Sequence, residues 1–200
     1  MTLMELYERL LWSLEDTALQ EAVPFYIAVD LFNDALYDLA DALYIVKCNG
    51  SLAPDGGGVV VLPEDFMYME RVRWDGCVDL TPIHDVNDAA IGSGEVKQYM
   101  MHGLRAMQLY DTPVEAKKLE VWYKAYPAKL VNESDVPASV PPEYHESIPT
   151  LYAKAQVMKR FGDLNAYNAL IGAWTALKRD LRSVVRARTS PAVWTGRFEW

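Results

Sequence analysis

Cysteine and histidine are scarce in this sequence, and their scarcity removes much catalytic and metal-binding chemistry at the outset. Cys48 and Cys77 stand far apart, without metal-ligand spacing. Isolated thiols of this kind point to a reducing compartment rather than a disulfide framework. His84, His102 and His145 are the three histidines, and none pairs with another at ligand spacing. No cofactor is expected. Basic charge is also short: 19 Lys/Arg against 28 Asp/Glu leave a net charge of -9. That balance argues against a general nucleic-acid binder, which sets cations against phosphates. No apolar run reaches the ~20 residues of a bilayer span. The N-terminus, MTLMELYERLL, is acidic and amphipathic and has no basic leader region. Synthesis in the cytoplasm is therefore expected.

Apolar material is plentiful. Over 200 residues, 51% are hydrophobic and 12% aromatic, enough for one cored domain or a domain with a substantial insertion. Charge is unevenly spread. Residues 154–200 hold nine Lys/Arg against three Asp/Glu, a net of +6. The preceding 153 residues hold ten against twenty-five, a net of -15. Such asymmetry reads either as two electrostatic neighbours or as solvated faces that differ in sign.

The longest helical signal lies in residues 141–186, where two amphipathic patterns meet at Phe161-Gly162-Asp163. Glycine takes the left-handed conformation that closes a helix, and Asp163 then caps the next one. Beyond the cap, Leu164, Tyr167, Leu170/Ile171, Trp174, Leu177, Leu181 and Val184/Val185 recur three or four apart, one stripe of period 3.6. Ile148, Leu151, Tyr152, Ala155 and Met158 do the same before it. A short loop makes the two helices antiparallel neighbours. Pro149 predicts a kink or restart in the first of them. At the N-terminus, Thr2 and Glu5 form a capping box before a short helix that ends near Glu15 or Asp16. Residues 17–23 read as a link. Pro24 opens a second helix expected to run to about Lys47 and to stop at Asn49-Gly50. Asp34, Asp38 and Asp41 read as its solvated face.

Between these helical parts come short β runs at 59–62, 67–74, 78–83, 96–101, 106–110 and 118–126. Asp75-Gly76 is a hairpin signal. Gly92-Ser93-Gly94 reads as a flexible joint and Asp111-Thr112-Pro113 as a turn. The clearest strand alternates Leu119, Val121, Tyr123 and Ala125 with Glu120, Trp122, Lys124 and Tyr126. The expected fold is α+β: a bundle of three to four helices with a small antiparallel β-sheet inserted between helices two and three. Residues 1–48 supply the N-terminal helices, 49–131 the β subdomain, 132–186 the C-terminal hairpin, and 187–200 an extended tail.

Catalytic constellations do not emerge. His84-Asp85 is the nearest approach to a hydrolase dyad, but with no second His-Asp set it reads as surface. Gly56-Gly57-Gly58 precedes a strand and lacks the GK[ST] ending of a phosphate loop. No GxSxG elbow is present. Acidic pairs such as Glu64-Asp65 and Glu133/Asp135 have no evident partner to shift their pKa. The tail differs: Trp194, Phe198 and Trp200 accompany Arg188 and Arg197, just after Arg186. Termini are mobile unless docked, and aromatics and arginine are enriched at interface anchors. The tail therefore reads as a docking peptide, the alternative being a tail packed on its own domain.

The order of these features resembles the phage head-to-tail connector, or adaptor, proteins. Four stretches carry the resemblance: LFNDALYDLADALY within residues 22–47, followed by a glycine-rich gap; VVVLPEDFMYMERVRWDGCVDLTPI at 59–83; LEVWYKAYPAKL at 119–130; and VPPEYHESIPTLYAKAQVMKRFGDLNAYNALIGAWTALKRDL at 140–181. Family members often enter the fourth strand on Pro-x-x-Tyr, of which Val96-Lys97-Gln98-Tyr99 keeps only the tyrosine. The resemblance implies a non-enzymatic ring, usually of about twelve copies closed by a heterologous interface, in the neck of the virion. Its helices would form the wall, and the β part would project outward or toward the tail. The implied partners are the portal protein, a tail or nozzle protein, further copies of the chain, and double-stranded DNA passing through the lumen without specific binding. No membrane is implied. Arg186, Arg188, Trp194, Arg197, Phe198 and Trp200 would dock the portal, and Tyr167, Trp174, Trp122 and Tyr126 would lie at the subunit interface. The alternatives are another neck component, such as a tail-tube terminator, or a virion-associated hydrolase using His84 and Asp85.

Overall fold

A computed structural model describes residues 1–75, 78–89, 96–111 and 118–189. The chain divides into two compact units, Met1–Tyr44 with Ala128–Trp200, and Ile45–Pro127.

Thr2 opens the helical unit. Its hydroxyl accepts from the Glu5 N–H at 3.3 Å, and the Glu5 carboxylate accepts from the Thr2 N–H at 2.8 Å, which completes the capping box. Helix α1 (Leu3–Ser13) buries Leu3, Leu6 and Leu10. The N–H groups of Leu3 and Met4 donate to the carbonyls of Asp135 (2.7 Å) and Glu133 (3.1 Å). The returning chain thus satisfies donors that a helix start leaves open. Residues 17–23 are more than a link, because the Asp16 carboxylate caps a short α2 (Thr17–Glu21).

Helix α3 (Phe25–Asp38) follows Pro24 and buries Ala28, Leu31, Phe32, Ala35 and Leu36. It does not reach Lys47. The helix is interrupted at Leu39, resumes as α4 (Ala40–Leu43), and ends at Tyr44 in the left-handed region at φ 49°. Leu39 and Leu43 are buried across both breaks, so the apolar spacing runs on where the hydrogen-bond ladder does not. The Asn33 side chain binds both backbone groups of Leu130, at 2.9 and 2.8 Å.

A 3-10 turn at Pro142–Tyr144 leads to α5 (Ser147–Arg160) and then α6 (Leu164–Thr189). Pro149 falls in the first turn of α5, where its missing N–H has no partner to lose. The helix therefore restarts rather than bending. Gly162 adopts φ 81°, and the Asp163 N–H reaches back to the Met158 carbonyl at 3.0 Å. The Asp163 carboxylate accepts from the Ala166 N–H at 2.9 Å, capping α6 as its spacing predicts.

The β unit holds β1 (Val46–Leu52), β2 (Val59–Val61), β3 (Phe66–Trp74), β4 (Val78–Asp79), β5 (Thr81–Pro82), β6 (Gln98–His102), β7 (Ala106–Tyr110) and β8 (Leu119–Ala125). These form two four-stranded sheets, ordered β1-β8-β3-β4 and β2-β7-β6-β5. The expectation of a three- to four-helix bundle with one small antiparallel sheet between helices two and three is overturned. Among the described residues there are six helices, four of them before the strands, and two sheets, one with a parallel β5–β6 pair. The physical reason begins at β1. β8 offers two edges; β3 takes one, and Val46 to Leu52 takes the other with Cys48 opposite Trp122. Val46, expected to end a helix, starts that strand. Alternation identifies a buried face but does not assign strands to sheets. Both sheets bury that face in one cluster. Val60, Met107, Leu109 and Tyr99 come from one sheet; Val72, Trp74, Leu119, Val121 and Tyr123 come from the other. Gly76 of the expected hairpin turn, the joint at 92–94, and Thr112-Pro113 lie outside the described residues.

Candidate functional site

Helix α6 is tied to what precedes it from Trp174 onward. Trp174 is 3% exposed. Its ring lies 5.2 Å from that of Tyr152, and its Nε1–H donates to Asp38 Oδ2 at 2.8 Å. Lys178 Nζ reaches the same oxygen at 2.8 Å, and Arg182 pairs with Asp41. Asp38 and Asp41 are exposed, as their spacing implies, but they act as acceptors for α6 rather than as an idle solvated face. Further along, the Tyr144 hydroxyl donates to Asp180 at 2.6 Å, and Arg188 pairs with Glu143. The Glu143 carboxyl lies below its usual range because its own backbone N–H, and then Arg188, outweigh partial burial. Part of the positive charge of residues 154–200 is thus neutralised within the chain.

Of the proposed portal-docking residues, Arg186 and Arg188 are exposed on the last turns of α6. Trp194, Arg197, Phe198 and Trp200 lie outside the described residues. Tyr167 is half-buried beneath Lys159, whose ammonium stands 5.3 Å from the ring centroid. Trp122 is half-buried on the outer face of the β1-β8-β3-β4 sheet. The guanidinium groups of Arg71 and Arg73 lie 5.6 and 5.5 Å from its ring, a cation–π arrangement, and Asp79 binds both arginines. Tyr126 is half-buried just after β8. Tyr167 and Trp174 share one helix, and Trp122 and Tyr126 belong to one strand and its exit.

Asp65, read from the sequence as half of an acidic pair with no evident partner, has two. Its carboxylate accepts from the Tyr123 hydroxyl at 3.0 Å and from Lys47 Nζ at 2.5 Å. Burial raises the Asp65 carboxyl, but the bonds from Lys47 and Tyr123 outweigh it and hold the group below its usual range. Burial first, then the bond to Asp65 and its charge, push the Tyr123 phenol up to about 12. An unfolded phenol ionises near pH 10. A raised folded pKa means this contribution is intact below ~10 and is lost as pH rises toward ~12. Urea unfolding between roughly pH 9 and 12 should show that slope for the β unit, and Tyr123→Phe should flatten it. An unchanged slope in the variant would assign the effect to another group.

Asp85 is spent locally: its Oδ1 accepts from the Asn87 backbone and side-chain amides, both at 2.9 Å. Among the described residues, no group of three or more His, Cys, Asp or Glu could hold a metal ion, and no helix is long and apolar enough to cross a membrane. Sequence reasoning also missed two tyrosines, Tyr26 and Tyr37, which are 68% and 60% exposed on α3. Their signal was available: both fall on the polar side of an amphipathic helix.

Ion pairs, stacked cations and exposed aromatic rings are what these elements bring together. No curated protein matches it. A family model described as SU10 adaptor protein matches residues 1–197. That match takes in the first helix and most of the tail, beyond the residues that carried the resemblance at 22–181. With nearly its whole length matched, the chain belongs to the SU10 adaptor proteins, a family of structural phage head-to-tail adaptors.

Proposed function

We propose that the chain assembles as a ring beneath the portal, in the neck of the virion, where it connects the capsid to the tail and lines the DNA channel. The family match across residues 1–197 is the observation that supports this most. A ring follows when a heterologous contact between identical copies closes on itself. The net charge of -15 over residues 1–153 suits a lumen that repels the DNA backbone and lets it pass without sticking. The tail residues Trp194, Arg197, Phe198 and Trp200, with Arg186 and Arg188, supply anchors of the kind enriched at interface centres. Tyr167, Trp122 and Tyr126 are the half-buried aromatics proposed to meet a neighbouring copy. Trp174 takes part by fixing α6, the helix that carries Tyr167. A tail or nozzle protein completes the lower side of the ring.

Electron micrographs of the purified chain mixed with its portal test the proposal. The expected result is a closed ring stacked on the portal, its copies counted by native mass spectrometry against the roughly twelve that the family resemblance implies. A ring that instead caps isolated tail tubes would favour the tail-tube terminator. Absence of any ring, on portals or on added tail tubes, would overturn the assembly reading.

A further inference from the structure

We infer that the ring, if the assembly reading above holds, is closed by one outer face of α3 in each copy packing against the outer face of α6 in the next. The observation is a charge and shape complementarity between two exposed surfaces of the same helical unit. α3 buries Ala28, Leu31, Phe32, Ala35 and Leu36. At 100° per residue, Tyr26, Asp30 and Tyr37 fall together on the opposite side, and all three are exposed. No Lys or Arg occurs between Arg9 and Lys47, so the exposed residues of this stripe are acidic or aromatic; Asn33, on the same side, is half-buried against Leu130. α6 buries Trp174, Leu181 and Val185. Asn165, Gly172, Arg179 and Arg186, each seven residues from the last, lie on its far side and are exposed. From Leu164 to Leu177 the helix holds no charged residue; beyond it, Asp180 is its only acid.

Shape adds to charge. Glycine is among the least favourable residues in a helix interior, and a Cβ built at Gly172 meets nothing within 4 Å. Its own chain therefore has no use for the missing side chain, whereas a ring laid flat against the helix does. Tyr37 and Asp30 are seven residues apart, as are Gly172 and Arg179. An antiparallel alignment that sets Tyr37 on Gly172 brings Asp30 beside Arg179. α5 adjoins both α3 and α6, so the two outer faces are separate surfaces of one copy. That makes the contact heterologous, front to back, as a closed ring requires.

Charge exchange tests the pairing. The wild-type chain is first assembled on its portal and counted by native mass spectrometry. If it forms no ring, the assembly reading fails before any substitution is made, and this inference with it. If it does, Asp30→Arg and Arg179→Asp should each lower ring occupancy at least ~10-fold at low salt, and the double variant should restore it. Gly172→Leu should abolish the ring while leaving the Tm of the free chain unchanged or raised. Rings of normal occupancy from Asp30→Arg would overturn the inference. So would a fall in the free-chain Tm of Gly172→Leu, which would place the role of that glycine inside its own subunit.

Discussion

Trp174→Ala is expected to destabilise the helical unit by about 3–5 kcal/mol, the usual cost of truncating a buried aromatic. The indole is almost fully enclosed and packs on Tyr152, so its removal opens a cavity between α5 and α6. It also removes one of the two donors that bind Asp38 Oδ2, loosening the tie between α6 and the end of α3. Two further ties, Arg182 to Asp41 and Tyr144 to Asp180, are exposed and contribute little on their own. They hold direction rather than mass. In thermal unfolding the Tm should fall by roughly 10–20 °C. Trp174→Phe separates the two roles. It fills most of the space and loses only the Nε1–H bond, and Asp38 is partly solvated and keeps Lys178, so about 1 kcal/mol is expected. Equal Tm values for the two variants would show that packing is not what the indole supplies. Tm is the right readout because the alkaline transition linked to Tyr123 reports on the other unit.

Local chemistry was the most legible part of the fold. The Gly162-Asp163 junction, the Thr2–Glu5 box and the alternation of β8 could each be read from a few neighbouring residues, because each is settled by interactions within a few positions. What failed was continuity. Residues 24–47 keep a helical apolar period through Leu39 and Tyr44, so the pattern could not mark the break after Asp38 or the left-handed turn. Nor could it show that Val46 onward would be drawn into a sheet by the free edge of β8. The second sheet was hidden for a related reason. Alternation says which face of a strand is buried, whereas the partner strand is chosen by contacts distant in sequence. Trp174 has the same ambiguity: a stripe of period 3.6 gives the direction of a side chain and not the identity of what it meets. Asp38, three turns into a helix with no cation nearby in sequence, could not be matched to Lys178, 140 positions away. Family membership was more legible than architecture, because ordered motifs survive in sequence where pairing does not.

Removing residues 190–200 should abolish binding to the portal and leave the helical unit as stable as in the full chain. The cut belongs after Thr189, where α6 ends. Arg188 is paired with Glu143, so a cut before it would disturb the last turn of the helix as well as the proposed docking segment. The eleven residues removed include Trp194, Arg197, Phe198 and Trp200. Interface anchors of these types contribute about 2 kcal/mol or more each when truncated. Their joint loss exceeds ~5 kcal/mol, more than a thousandfold in affinity per copy, and a ring multiplies that loss because its copies bind together. Co-sedimentation with portal particles measures binding, and thermal unfolding measures the fold. Retained binding would remove the tail from the docking surface. A lowered Tm with lost binding would mean that the tail packs on its own domain. Arg188→Ala resolves the remaining overlap between stability and docking. An exposed ion pair contributes little to stability, so weakened portal binding at unchanged Tm would assign the guanidinium to the portal and make Glu143 the partner it leaves on docking.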